Sequence, residues 1–331
     1  MKRFIKNFLI SGGVTKLAAR LARPCAAVLM YHSVLDDPSD VKDTLGGIAH
    51  STDLFRKQME LIAREYNPVS LEDVSLFLKG KKELPRRAVA ITFDDGYTDN
   101  LEVAVPILNA LGLSATFYVA VDCVEKRTLP WVAKLRWAFY RSNKSFWANG
   151  KGKLNLATFE ERDRAFLEAC DECCQLAGEG QQRFVEKIEL QLETELPANS
   201  ARLIMSWEQV RELLRRGHIV GSHTMTHPNM AYVSDSELKV EFAESKRRLE
   251  EQLSIPIVHF AYPCPAMSPC WIERTVKASR EAGYETAVTV TNGPVRRGND
   301  PLSLRRVMPT KRVDGLRWNL ERTFAHPRYA W

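Results

Sequence analysis

The 331-residue chain has no apolar run approaching the roughly 20 residues that a membrane-spanning helix needs. A secretory leader is also a poor match. Phe8-Leu9-Ile10 is too short an apolar stretch, and Lys16 and Arg20 interrupt the residues after it. Cysteine is sparse and odd in number, seven residues in all. Three of them crowd into Cys170-Asp171-Glu172-Cys173-Cys174, with no second cluster to complete a zinc site. That pattern argues against a disulfide framework and for reduced thiols in a cytosolic protein. Acidic residues are missing from the first 23 positions, which carry Lys2, Arg3, Lys6, Lys16, Arg20 and Arg23. These cations account for the whole net charge of +6, so the rest of the chain is balanced and demands no nucleic-acid partner. Repeats and low-complexity tracts are absent too. What remains, 45% hydrophobic and 27% charged, is the composition of a globular protein, neither disordered nor fibrous.

Residues 1–23 read as a basic amphipathic segment broken at Gly12-Gly13. Val14, Leu17, Ala18, Leu21 and Ala22 share one face, and Lys16, Arg20 and Arg23 lie off it. Such a segment can rest peripherally on an anionic membrane surface, at the inner face, or pack on the domain as a solvated helix, and both readings stay open. From 24 to 120 and from 204 to 310 strands and helices alternate. Ala26–Met30, Ala88–Phe93, Ser114–Val119, His218–Ser222, Val258–Tyr262 and Glu285–Thr289 read as strands. Helices are expected at Thr52–Tyr66, Leu71–Lys79 and Asn100–Leu111, the last bent by Pro106. Ser206-x-x-Gln209 and Ser234-x-x-Glu237 open two more. This alternation means a parallel sheet with helical crossovers. Between 121 and 203 it stops. The stripes Trp131, Leu135, Ala138, Phe139 and Phe184, Ile188, Leu192 predict a helical insertion over or beside a groove, far beyond the usual connection length. Residues 311–331 are an Arg-rich tail without an assigned structure.

The chemistry-bearing residues fall at predicted strand ends. Thr92-Phe93-Asp94-Asp95-Gly96-Tyr97 places two adjacent carboxylates after a strand, where a metal or a proton would relieve their repulsion. An Asp-Gly turn with a helix N-cap is the plain alternative. His223-Thr224-Met225-Thr226-His227 also follows a strand, and histidines at i and i+4 share one face of a helical turn. One Asp with two His makes a three-ligand site with an open position, the catalytic pattern for zinc, and leaves the second Asp free as a base.

Thr92–Tyr97, then His223-Thr224-x-x-His227 after Gly217-His218-Ile219-Val220-Gly221-Ser222, then Phe260-Ala261-Tyr262-Pro263 resemble the polysaccharide deacetylase family, carbohydrate esterase family four. Leu29-Met30-Tyr31-His32-Ser33-Val34 is similar to its exopolysaccharide and poly-N-acetylglucosamine branch. The resemblance implies an α/β fold, a distorted (β/α) barrel of about seven strands made by 24–120 and 204–310, with 121–203 as a helical insertion. It implies Asp94 as general base, with Asp95, His223 and His227 as metal ligands. It also implies that Tyr97 offers a backbone N–H to the oxyanion, and that Tyr262 and Pro263 line the sugar groove. The family's Arg in the third motif is missing here, and Arg305 or Arg306 could supply that cation. Arg306 fits the branch better and is counted with the substrate-binding residues. No histidine stands late in the barrel to serve as general acid. His32 matches the branch's early acid position, with His326 next in line.

The implied activity is metal-dependent removal of N-acetyl groups from an N-acetylated polysaccharide or oligosaccharide, releasing acetate. The expected cofactor is a divalent ion, zinc first, with cobalt, nickel or iron accepted by the same donors. A non-catalytic carbohydrate-binding or membrane-associated relative is the alternative. A metallopeptidase is disfavoured because Thr224 replaces the Glu of His-Glu-x-x-His. Cys264-Pro265 departs from the family's third motif, and His50, His218 and the Cys170–Cys174 cluster read as structural.

Overall fold

The computed structural model describes residues 24–325, so the basic segment 1–23 and His326 lie outside the described residues. Seven parallel strands carry the fold: β1 Cys25–Tyr31, β2 Ala88–Phe93, β3 Thr116–Val119, β4 Ile219–Ser222, β5 His259–Ala261, β6 Thr286–Asn292 and β7 Leu304–Arg306. They pair in chain order, each parallel to the next. Val307, just past β7, closes the ring: its N–H donates to Val28 O at 2.7 Å and its carbonyl accepts from Met30 N at 3.3 Å. The strand Val295–Arg296 adds antiparallel to the start of β1, and Asn67–Pro68 fills the edge of β2. The result is a nearly closed, distorted (β/α) barrel.

Strand periodicity sorts the side chains. Ala26, Val28, Ala88, Ala90, Ala261 and Leu304 share the interior cluster, and Leu71, Val74 and Phe77 of helix α2 (Leu71–Leu78) join it. The alternate residues Ala27, Leu29, Val89, Ile91, Phe117 and Phe260 belong to the outer cluster under the helices. Gly221 on β4 is required by this packing, because a Cβ there would lie 2.7 Å from the Tyr118 ring and 2.8 Å from His259 O. Continuing the alternation past the strand ends places His32, Asp94, His223 and Arg306 on the interior parity at the carboxyl end of the barrel, where barrel active sites sit.

The outer helices follow the local signals. α1 (Thr52–Glu65) is capped by Ser51. Complete capping boxes open α2 at Ser70, α8 (Trp207–Arg215) at Ser206 and α9 (Asp235–Leu253) at Ser234. Ahead of α3 (Val105–Ala110), Asn100–Ala104 winds as a π-helix, because Pro106 has no N–H for the regular ladder. The tail is more ordered than expected: α10 spans Val313–Ala325 and buries Leu316, Leu320 and Phe324.

Between β3 and α8 lie α4 (Val121–Lys126), α5 (Trp131–Arg141), α6 (Phe159–Cys173) and α7 (Gly178–Leu192), with a two-stranded hairpin, Phe146–Ala148 against Lys153–Asn155. α5, α6, α7 and the hairpin share a core that includes Trp131, Phe139, Trp147, Phe166 and Ile188, whereas Val121 and Val124 of α4 join the outer cluster of the barrel. Cys170, Cys173 and Cys174 are packed inside it as thiols. The expectation of reduced cysteines fails at one pair. Cys264 and Cys270 form a disulfide, because the loop between them folds back and brings their Cα atoms to 5.1 Å.

Candidate active site

Two turns build the site. At the end of β2 the chain turns sharply, with positive φ at Asp95 (77°) and at Gly96 (83°). A left-handed backbone is costly for a non-glycine residue and clusters at functional sites. It splits two adjacent carboxylates onto different partners. After β4 the expected helical turn does not form. Residues 223–227 are an irregular loop with φ of 71° at Thr224 and 60° at His227, and the two imidazoles still meet edge to face with centroids 4.9 Å apart. Thr224 Oγ1 accepts the His227 N–H at 3.0 Å, a local bond that competes with helix formation.

Asp95, His223 and His227 offer one donor atom each, all within 4.8 Å of one another and all buried. Asp95 Oδ1 stands 3.3 Å from His223 Nε2 and 3.2 Å from His227 Nε2. His223 Nδ1 lies 2.8 Å from Ala261 O, which makes Nδ1 the protonated nitrogen and turns a bare Nε2 lone pair toward Asp95. Asp95 Oδ1 is buried with no hydrogen-bond partner. Lone pairs aimed at each other at this range need a cation between them, a proton or a metal. Two imidazoles and one carboxylate are the donor set of a three-ligand catalytic site, so these residues fit a divalent ion. Burial works against ionisation of Asp95, yet the two histidines facing it hold its carboxyl well below the ordinary carboxylate range.

Asp94 belongs to a different set. Arg306, fully buried, forks onto it: Nη1 donates to Oδ1 and Nη2 to Oδ2, each at 2.7 Å, while Nε donates to Thr289 O at 2.9 Å. Burial raises the Asp94 pKa, but the guanidinium and the nearby His223 and His32 together outweigh it and the net shift is downward. Arg306 does not serve as the expected substrate contact. It spends its fork on Asp94 instead and supplies, from the seventh strand, the cation missing from the third motif. His32 Nε2 lies 4.0 Å from Asp94 Oδ2 with its side chain 18% exposed. Burial lowers its pKa below the ordinary value, against the pull of both carboxylates.

The structure does not bring the Tyr262 side chain to this site. Tyr262 has the outer parity of β5, is 1% exposed, and bonds Leu302 O at 2.9 Å and Ser279 Oγ at 3.1 Å. Pro263, one residue on, is buried. The Tyr97 phenol is buried beside Asp95, and its N–H follows directly on the Gly96 turn.

Three supporting residues escape a reading of the sequence. Asp99 accepts Ser33 Oγ at 2.6 Å and Val34 N at 2.8 Å, and Asn100 donates to His32 O at 2.6 Å, so the pair fixes the segment that carries His32. Glu241 on α9 accepts Met225 N at 2.8 Å and Thr226 N at 3.0 Å, inside the histidine loop. Its signal is present in the sequence, a charge on the buried stripe Leu238, Phe242, Ser245, Leu249.

Residues 81–287 match the family described as polysaccharide deacetylase, and the chain belongs to that family. Among curated proteins it is similar to YxkH of Bacillus subtilis (strain 168), named as a polysaccharide deacetylase. The two are 21% identical over 293 residues, 87% of this chain and 72% of that one. It is 32% identical over 83 residues to the poly-beta-1,6-N-acetyl-D-glucosamine N-deacetylase of Escherichia coli (strain K12), which is 25% of this chain and 12% of the relative. In fold it is similar to the Streptococcus pyogenes deacetylase PplD in complex with acetate, with a TM-score of 0.60, 19% identity, and coverage of 90% of this chain and 99% of that one. IcaB from Ammonifex degensii gives a TM-score of 0.58 at 19% identity, covering 91% and 98%. Family membership supports deacetylation of a polysaccharide as this chain's activity. Among the described residues no helix is long and apolar enough to cross a membrane.

Proposed function

We propose that the chain is a metal-dependent hydrolase that removes N-acetyl groups from an N-acetylated glycan and releases acetate, and that it belongs with the exopolysaccharide branch. The observation that carries this reading is the division of two adjacent carboxylates. Asp95 points at two imidazoles and Asp94 at an arginine and a third histidine. Carboxylates with separate partners take separate roles. Asp95, His223 and His227 would hold the metal, which supplies Lewis-acid polarisation and acidifies water when bound.

Asp94, kept ionised by Arg306, accepts the proton of the attacking water as its oxygen joins the acetyl carbon. The Tyr97 N–H faces the carbonyl oxygen as negative charge develops on it. His32 supplies a proton to the amine as the C–N bond breaks. Acetate and a free amino sugar leave. Pro263 stands in the groove wall, a role Tyr262 cannot share through its side chain. The insertion 121–203 flanks this groove, and the barrel carries the chemistry.

The test is acetate release from N-acetylglucosamine oligomers by chelated and metal-restored protein. Activity should vanish on chelation and return with the ion. Asp95→Ala should lose the metal, whereas Asp94→Asn should keep it and lose turnover. Full activity in thoroughly chelated protein, or in Asp94→Asn, would overturn the proposal.

A further inference from the structure

The two imidazoles of the candidate metal site are held by different means. His223 is fixed through its ring, by the bond between Nδ1 and Ala261 O. His227 Nδ1 is buried and has no hydrogen-bond partner. The direction of the His227 ring must therefore come from the backbone that carries it, and that backbone is left-handed at 224 and 227. A strained loop persists only when its surroundings over-determine it. Here every carbonyl from 224 to 227 accepts from a donor in the insertion. Val121 N reaches Thr224 O at 3.1 Å and Asp122 N reaches Met225 O at 2.9 Å. The indole N–H of Trp131, the first residue of α5, donates to His227 O at 2.8 Å. Gln181 of α7, in the amide orientation that its neighbours' donors and acceptors require, accepts from the same N–H at 3.0 Å and donates to Thr226 O at 2.8 Å. Trp131 is 4% exposed, so this bond is dry and geometrically narrow.

We infer that Trp131 is a positioning residue for His227, and that through it the helical insertion sets the metal affinity of a site built on the barrel. This rests on the reading of His227 as a ligand. A ligand whose ring has no partner of its own has only its carbonyl clamp to keep Nε2 on target, and partners behind a ligand are typically worth 10–100-fold in metal affinity.

The test strips the full chain with chelator and titrates it with Co2+ alone, whose visible absorption reports ligand geometry. Trp131→Phe keeps a buried ring and deletes the N–H. Its Co2+ affinity should fall about ten-fold, with an altered spectrum. Gln181→Leu should shift both in the same direction by less. Phe139→Leu, in the insertion core, should lower Tm and leave Co2+ affinity unchanged. Wild-type affinity and spectrum in Trp131→Phe overturn the inference. If that variant does not fold, unchanged affinity in Gln181→Leu does the same. His227→Ala separates the two levels. Loss of Co2+ there with no effect of Trp131→Phe sinks the positioning role alone, whereas retained stoichiometric Co2+ in His227→Ala removes the ligand and the inference together.

Discussion

Asp94 and Asp95 are neighbours in sequence, and each is defined by what lies across the barrel from it. A buried carboxylate forked by a buried guanidinium is strongly coupled to it, because removing one partner leaves the other charged and dry. Arg306→Gln should therefore cost about 3–5 kcal/mol of stability, read as a lower urea midpoint. It should also let burial raise the Asp94 pKa, so the acid limb of kcat/KM moves to higher pH. An unmoved limb would show that Arg306 does not tune the base. This bond spans 212 positions of sequence, which is why an arginine at the end of a three-residue strand reads as a substrate contact. The motif residues need no such distance, since Asp94, Asp95, His223 and His227 each sit within two local words. His32 carries a second prediction. As the acid for the departing amine, His32→Ala should lower amide turnover by roughly 10²–10⁴. It should leave metal content unchanged and spare an activated acetyl ester, whose leaving group needs no proton. Equal loss on amide and ester, or loss of metal, would make His32 a structural group or a ligand.

Elements with local signals were legible, and those that depend on distant partners were not. Ser206 and Ser234 announce their helices within four residues, and the buried strands β1 and β2 show as apolar runs. β7 has only three residues and exists because β6 and, through Val307, β1 give it edges to pair with. The helical turn expected from His223 and His227 is the natural reading of an i, i+4 pair, but backbone donors from the insertion and the accepting carboxylate of Glu241 hold the loop open. The 264–270 disulfide depends on a loop path that no spacing rule gives. α9 tests this account at its own scale. Glu241 is 2% exposed on a helix whose neighbours on that face are Leu238, Phe242 and Leu249, and it accepts two N–H groups of the histidine loop. Glu241→Ala should leave both donors buried and unpaired, at about 1–3 kcal/mol each. Urea unfolding should show a lower midpoint, and Glu241→Gln, which keeps an acceptor oxygen, should recover much of the loss. A neutral Glu241→Ala would mean that the loop stands without α9.

Across the whole molecule the buried titratable groups form two opposed sets, and their balance predicts how metal-free stability follows pH. Burial pushes His50, His218 and His259 each down to about 4, and lowers His32 as well. Unfolded, these imidazoles take protons near pH 6.5, so between about 4 and 6.5 the unfolded chain binds more protons and stability rises with pH. Burial pushes Asp99 and Glu241 the other way, each up to about 7. They stay protonated in the fold where the unfolded carboxyls are ionised, so they make stability fall as pH rises from about 4 to about 7. His223, raised by Asp95 and Asp94 despite its burial, also makes stability fall with pH, but only above about 6.5, where the unfolded imidazole loses its proton. The lowered carboxyls Asp94 and Asp95 act only below about pH 4. Below pH 6.5 four imidazoles oppose two carboxyls, and stability climbs. Above it the four are neutral in both states, while Asp99 and Glu241 are still losing protons in the fold. Stability of the chelated protein should thus peak slightly below neutrality and decline toward pH 8. Urea midpoints measured from pH 4.5 to 8 check the shape. Asp99→Asn, close in shape and unable to ionise, should flatten the decline on the alkaline side and steepen the acid slope, where the Asp99 carboxyl opposes the imidazoles. A midpoint that keeps rising from pH 6.5 to 8, or an alkaline decline that survives Asp99→Asn intact, would show that Asp99 does not hold its proton in the fold.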